Sequence, residues 1–223
     1  MQLMDAAAAI FVERGFTRTQ MADVAEALGV AKGTVYGSVE SKEALFYATL
    51  RYADRLDEAP APADLPVRTP GPGAMVAYLD DRLTSVAAGL RLVSVVDSTP
   101  PAEPLAELTE VLADLYGVMR RNRVALKLVD RCAVDLPELT TVWFTRARWD
   151  HVDLLATYLE SRRSGLGMAE QPVDLVARMV LETLTLWAVH LPWDPAPRPY
   201  ADQQIETAVL GFVTRALSEG SQP

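Results

Sequence analysis

The chain has 223 residues, half of them apolar, and a net charge of −9, which excludes an unfolded polar chain and allows one large domain or two modest ones. Residues 1–55 hold six Lys/Arg against seven Asp/Glu, so this N-terminal part is nearly neutral at −1 and the remaining −8 lies beyond it. No run of about 18 uninterrupted apolar residues is present and no basic stretch precedes an apolar one at the N-terminus, so the expected location is cytoplasmic, with no membrane partner.

In chain order, the first predicted element is a helix over Ala6–Arg14, with Ala6, Ala9, Ile10 and Val12 on its apolar face and Gly15 as its stop. Thr19 is placed to cap a second helix carrying Met21, Val24, Ala25 and Leu28. Gly29 supplies the positive φ of a sharp turn. Val30 is expected as a buried anchor, and a short helix from about Ala31 to Gly37 turns Val35 inward. A small residue at position 25, a glycine turn and an apolar plug suit two helices crossing steeply, as in a helix-turn-helix. That packing leaves Lys32, Gly33, Thr34, Tyr36 and Ser38 outward, where a recognition helix meets bases and phosphates in the major groove of DNA. Ser41 can cap a fourth helix, and Lys42 in its first turn sets a cation beside unbonded backbone amides, a favourable phosphate site.

The whole run GFTRTQMADVAEALGVAKGTVYGSVESKEALF resembles the DNA-binding domain of TetR-family (tetracycline-repressor-like) transcriptional regulators. The likeness rests on Gly15-Phe16, Thr19, Val24-Ala25, Gly29-Val30, the run from Lys32 to Tyr36, and Ser41-Lys42-Glu43, and it spans roughly residues 5–50. It implies backbone-phosphate contacts from Thr19 and Gln20, and a recognition helix presenting Lys32, Gly33, Thr34, Tyr36, Gly37 and Ser38. It also implies that Tyr36 and Lys42 chiefly touch phosphates. Three positions depart from the family. Ala31 replaces the usual serine, removing a side-chain cap worth about 1 kcal/mol. Gly37-Ser38 stands where larger side chains are common, which shortens the reach toward base edges, and Val39 replaces a common phenylalanine.

Beyond this head, five prolines and two glycines between Ala59 and Gly73 read as a linker. Met75, Leu79, Leu83, Val86 and Leu90 then recur at helical spacing. Segment 104–131 carries its acids early and Arg120, Arg121, Arg123, Lys127 and Arg131 late, the charge order a helix dipole favours, in one helix or two; the basic row is read as a solvated face. Val173–Leu191 and about Tyr200–Leu217 are apolar on more than one side, as helices buried on two sides are. Val176, Val180, Leu184 and Trp187 share one face of the former, with Leu175, Met179, Leu186 and Val189 on others. No strand pattern appears. The expected fold is all-α with about nine or ten helices by this spacing. A helix-turn-helix DNA-binding domain occupies 1–46, and a helical ligand-binding and dimerisation domain occupies 47–223.

The resemblance implies a ligand-responsive regulator, most simply a repressor released from a palindromic operator by a small-molecule effector, acting as a homodimer through the two C-terminal helices. Tyr78, Tyr116, Met119, Trp143, Phe144, Trp149, Met179 and Trp187 are the pocket candidates, because aromatic and flexible thioether side chains line apolar ligand sites as well as ordinary cores. The alternative is a helical dimer that binds a ligand or a protein and no longer reads DNA sequence. Catalysis is not expected. His151, His190 and the lone Cys132 are too few for an ordinary zinc site, no Gly-rich phosphate loop or Gly-x-Ser-x-Gly elbow is present, and no metal or cofactor is called for. Cys132 is expected as a small buried apolar group.

Overall fold

A computed structural model describes residues 2–55, 60–168 and 171–218, apart from the side chain of Pro62. Among the described residues it contains twelve α-helical segments and no strand. These are α1 (Gln2–Arg18), α2 (Met21–Leu28), α3 (Lys32–Tyr36), α4 (Lys42–Tyr52), α5 (Ala74–Ala88) and α6 (Arg91–Val95). They continue as α7 (Pro104–Arg121), α8 (Arg123–Cys132), α9 (Pro137–Thr140), α10 (Arg148–Arg162), α11 (Val173–Thr185) and α12 (Asp202–Ala216). The all-α expectation holds, but the expected count of helices was too low: α6 and α9, at five and four residues, are too short to show a period. Segment 104–131 is two helices, broken at Asn122. The start of the Pro/Gly linker at Ala59 lies outside the described residues.

The chain divides into two compact units: residues 1–82 with 122–145, and residues 83–121 with 146–223. In the first, Phe11, Phe16 and Phe46 pack as a triad with centroids 5.2–6.0 Å apart, a geometry worth about 0.5–1.5 kcal/mol per pair beyond area burial. Val24, Val39 and Leu45 complete this core. Helix α8 closes it with Leu128, Val129 and Cys132. Burial pushes the Cys132 thiol up to about 12, and its sulfur donates to the Phe11 carbonyl. It is the buried small group expected.

Two contacts bind α8 to the head. At Gly15 the backbone turns to φ 80, ψ 174, and a Cβ there would lie 2.7 Å from Arg131 and 2.8 Å from Asp135. Glycine is thus required for its φ, and the ends of these two flexible side chains fill the space a Cβ would take. The Asp135 carboxylate in turn accepts from the Thr17 N–H at 2.9 Å. At the other end Asp54, itself at φ 59, accepts from the N–H groups of Val124 and Ala125 at 3.0 and 2.8 Å. It therefore caps the start of α8 from a distant part of the chain.

In the second unit α7, α10 and α11 form the core through Leu108, Leu112, Leu155, Leu159, Ala177 and Leu184. Helix α11 continues through a wide π turn, Leu186–His190. The stretch Val173–Trp193 is long and apolar enough by length and composition to cross a membrane, with 39% of it buried inside the fold. Asp174, Arg178 and Glu182 punctuate the stretch, so it holds no long uninterrupted apolar run. Val176, Val180 and Leu184 face the core, whereas Leu175, Met179 and Leu186 are 55%, 62% and 54% exposed. On α12, Val209 and Val213 are buried and Phe212 is exposed, and Leu217 just past its end is buried. Arg162, fully buried, bonds Glu107 at 3.0 Å, the Val95 carbonyl at 2.7 Å and Ser98 at 2.9 Å, and its guanidinium lies over the Tyr158 ring. Burial, with Glu107 beside it, pushes the Tyr158 hydroxyl well above its ordinary range.

Candidate nucleic-acid interface

The residue that caps α2 is Gln20, not Thr19. The Gln20 N–H donates to the Asp23 carboxylate at 2.8 Å while the Asp23 N–H donates back to the Gln20 carbonyl, a reciprocal cap of the kind that satisfies otherwise orphaned backbone groups. That N–H, with Arg14 beside it, holds the Asp23 carboxyl below its ordinary range. The Thr19 hydroxyl instead donates backward to the Gly15 carbonyl at 2.7 Å, and Thr19 is buried. Threonine is therefore spent on closing the α1–α2 corner, and the cap passes to the next residue.

The turn that follows is set by Gly29 in the left-handed region at φ 66, ψ 30. Its N–H reaches Glu26 and that of Val30 reaches Ala25, both at 3.0 Å. This pair of bonds is a Schellman stop, which needs the positive φ that glycine provides. Val30 is 40% exposed, so it is not the buried anchor expected; the Schellman bonds hold the turn through its backbone.

Helix α3 starts at Ala31 without a side-chain cap and is held inward by Val35, which is buried. Lys32, Gly33, Thr34, Tyr36 and Gly37 are all exposed and Ser38 is half-buried. The structure thus brings these candidates together on one outward surface. Lys32 sits 5.8 Å from the Tyr36 ring centroid, within cation–π range, so the two longest side chains of the helix share one place. Gln20 is exposed at the start of α2.

Lys42 is engaged more deeply than its position alone suggests. Its ammonium donates to the Phe16 carbonyl at 3.0 Å and the Thr17 carbonyl at 3.3 Å, and lies 4.5 Å from the Phe16 ring centroid. It ties the end of α1 to the start of α4. An ammonium has three donors, and two are used here. Arg14 is likewise engaged, with Asp23 at 2.9 Å.

The residues after α3 carry a feature that sequence reading missed. Val39 and Val67 pair as a parallel bridge: the Val67 N–H donates to Ser38 at 2.8 Å and the Glu40 N–H donates to Val67 at 3.0 Å. The Thr69 N–H donates to the Glu40 carboxylate at 2.8 Å, and the Ser41 and Thr69 hydroxyls share a bond of 2.8 Å. Ser41 also accepts from the Ala44 N–H as the α4 cap, as the sequence suggested. The linker therefore folds back on the stretch that follows α3. Its proline content signals a loop and gives no sign of where that loop docks.

The pocket candidates are divided between the units. Tyr78, stacked edge-on to Tyr47, and Trp143 and Phe144, both half-buried, belong to the first unit. In the second, Tyr116 is buried, Met119 accepts a hydrogen bond from Thr185 at 3.7 Å, and Trp149 lies under Arg178. Met179 and Trp187 are exposed at the surface of α11 and its continuation. Asp54, Asp135 and Arg162 were not singled out from sequence, because nothing in a lone acid or arginine marks a partner far along the chain.

Residues 3–49 match the family described as bacterial regulatory proteins, tetR family. The chain is 40% identical over 50 residues to the HTH-type transcriptional repressor KstR2 of Rhodococcus jostii (strain RHA1), a match over 22% of this chain and 24% of that relative. It thus spans about a quarter of the length of the curated relative it matches. Over nearly its whole length it shares a fold with the ketosteroid transcriptional regulator KstR2 of Mycobacterium tuberculosis, at 20% identity and a TM-score of 0.56, covering 98% of this chain and 94% of the other. The same holds for a bacterial regulatory protein in the tetR family from Rhodococcus RHA1, at 13% identity and a TM-score of 0.54, covering 97% and 95%.

Proposed function

Because residues 3–49 match the family of bacterial regulatory proteins described as tetR, we propose that this chain is a cytoplasmic DNA-binding transcriptional regulator and not an enzyme. The observation that carries the reading is the outward surface of α3, where Lys32, Gly33, Thr34 and Tyr36 stand exposed on a helix held by a Schellman turn and the Val35 plug. We assign DNA reading to residues 1–46, with Gln20, Lys32, Gly33, Thr34, Tyr36, Gly37, Ser38 and the third N–H of Lys42 as its contacts. Thr19, buried as it is, supports the reading through the backbone position it enforces.

Residues 47–223 carry the remaining roles. The exposed row of Leu175, Met179 and Leu186 on α11, with Phe212 on α12, supports a two-fold dimer through these helices, since large apolar side chains clustered at a surface mark an interface. Two copies of the head then read two half-sites of a near-palindrome. We assign the effector to the helical body, where Tyr116 and Met119 are the buried and half-buried candidates. An effector releases DNA only to the extent that it binds the non-reading conformation better.

The missing cap at Ala31 and the engagement of Arg14 with Asp23 favour a second reading, a dimeric helical module that no longer reads DNA. Lys32→Ala and Tyr36→Phe distinguish the two. In a DNA reader each lowers operator affinity, and Lys32→Ala lowers the salt slope by about 1 per subunit. Unchanged affinity and slope in both variants would favour the second reading.

A further inference from the structure

The sequence of the head leaves its reading surface short of cations. Of the six Lys/Arg among residues 1–55, Arg14 is paired with Asp23, Arg18 donates to the Arg14 carbonyl, Lys42 gives two of its three donors to Phe16 and Thr17, Arg51 lies over Tyr47 and Tyr78, and Arg55 stands beyond the end of α4. Lys32 alone is carried by the recognition helix. The fold supplies a further cation from outside this segment. Residues 66–69 are bonded to the stretch that leaves the recognition helix, through Ser38, Glu40 and Ser41, and Arg68 sits in the middle of that contact.

The bridge decides which way Arg68 turns. Val39 is buried and is the partner of Val67. Paired residues of a parallel bridge point to the same side, and successive residues of an extended segment alternate. Val67 therefore leans toward the core and Arg68 points away from it. Arg68 is exposed and, among the described residues, has no hydrogen-bond or ion-pair partner. Neighbouring extended segments lie about 4.8 Å apart, so its backbone is one segment's width from Val39, three residues beyond Tyr36. A guanidinium there, planar and permanently charged, suits a phosphate.

We propose that the returning linker is a third element of the DNA interface, with Arg68 contacting a backbone phosphate beside the end of the recognition helix. This rests on the DNA-reading function proposed above. The four hydrogen bonds from Ser38, Glu40 and Ser41 hold the segment in register, so the contact comes already ordered and costs little entropy on binding. A phosphate contact fixes position without reading sequence. Arg68 accordingly adds affinity equally to good and poor operators.

The experiment compares wild type with Arg68→Ala, Arg68→Lys and Arg68→Glu on duplex DNA selected by the wild-type protein, with affinity measured across a range of salt. Arg68→Ala is expected to lower affinity by about tenfold and the salt slope by about 1 per subunit, by the same factor on operators with altered bases and with an unchanged melting temperature. Arg68→Lys should keep most of the slope and Arg68→Glu should lose more than alanine. Val67→Pro, which removes the N–H donated to Ser38, should reproduce the alanine slope by loosening the segment. Equal affinity and slope for wild type and Arg68→Ala would overturn the role of Arg68 while leaving DNA reading intact. A wild-type protein that selects no duplex, with Lys32→Ala equally silent, would overturn both.

Discussion

The N-terminal head and the C-terminal helix pair each expose one face, and the two faces are opposite in chemistry. On α3 the exposed side chains are polar, short or cationic, Lys32 and Thr34 among them, with Tyr36 as the one large ring. On α11 and α12 they are Leu175, Met179, Leu186 and Phe212, each more than half exposed. A face of the first kind loses little in water and gains from phosphates and base edges; one of the second kind is relieved by covering it with another apolar surface. The two regions therefore suit different partners. In the function proposed above, a five-residue recognition helix without a side-chain cap depends for its affinity on being presented twice.

The largest effect expected follows from that dependence. Met179→Glu combined with Phe212→Glu should separate the subunits in light scattering and lower operator affinity by about a hundredfold or more, because linking two heads converts the second binding step into an intramolecular one. A variant that stays dimeric would break the comparison by removing α11 and α12 from the interface.

Lys42→Ala comes next and separates interior from surface within the head. It removes two carbonyl contacts and the ring contact with Phe16, so about 1–3 kcal/mol of stability should be lost along with affinity. Lys32→Ala, on the exposed face, should lower affinity with no loss of stability. Urea unfolding alongside a shift assay makes the distinction, and equal stability in both variants would return Lys42 to a purely DNA-facing role.

Ala31→Ser supplies the missing cap. It should stabilise the head by about 1 kcal/mol and tighten DNA binding through a better ordered α3. Tighter binding without the gain in stability would point to a contact made by the new hydroxyl itself.

The smallest effect concerns Asp54. Burial pushes its carboxyl above the ordinary range, against the pull of the Ala125 and Val124 N–H groups and of Arg123 and Arg82. The folded state therefore holds this proton more tightly than the unfolded chain does. The contribution is present below the ordinary aspartate range and is lost as pH rises through the raised value. Asp54→Asn keeps an oxygen for the α8 cap and tolerates the positive φ, so its urea midpoint should gain on wild type as pH rises from 4 toward 7. Parallel pH profiles would show that Asp54 titrates alike in both states.

What could be read from sequence follows a physical divide. The recognition head was legible because its signals are local: Gly29 needs its φ, Val35 needs its side, and Ser41 caps its own helix. The two-sided character of α11 was legible from its period, and the structure assigns Val176, Val180 and Leu184 to one side and Leu175, Met179 and Leu186 to the other. Thr19 and Val30 were misread because each had a local role to fill that a neighbour filled instead, Gln20 through its backbone cap and Gly29 with the Val30 N–H through the Schellman bonds. Asp54 on α8, Asp135 on Thr17 and the docking of Val67 on Val39 were not legible at all. Each joins residues 28 or more positions apart, and a charge or a proline carries no record of the partner it meets after folding.

The central claim is that an exposed polar face on α3, duplicated by an apolar face on α11 and α12, makes one operator reader. Selection of bound duplexes from a random pool with the purified protein tests it most directly. The expected result is an enriched near-palindrome whose half-sites lie about one helical turn, or a multiple of it, apart, with the enrichment lost for Met179→Glu with Phe212→Glu. Retention of no sequence above background by the wild-type protein would contradict it.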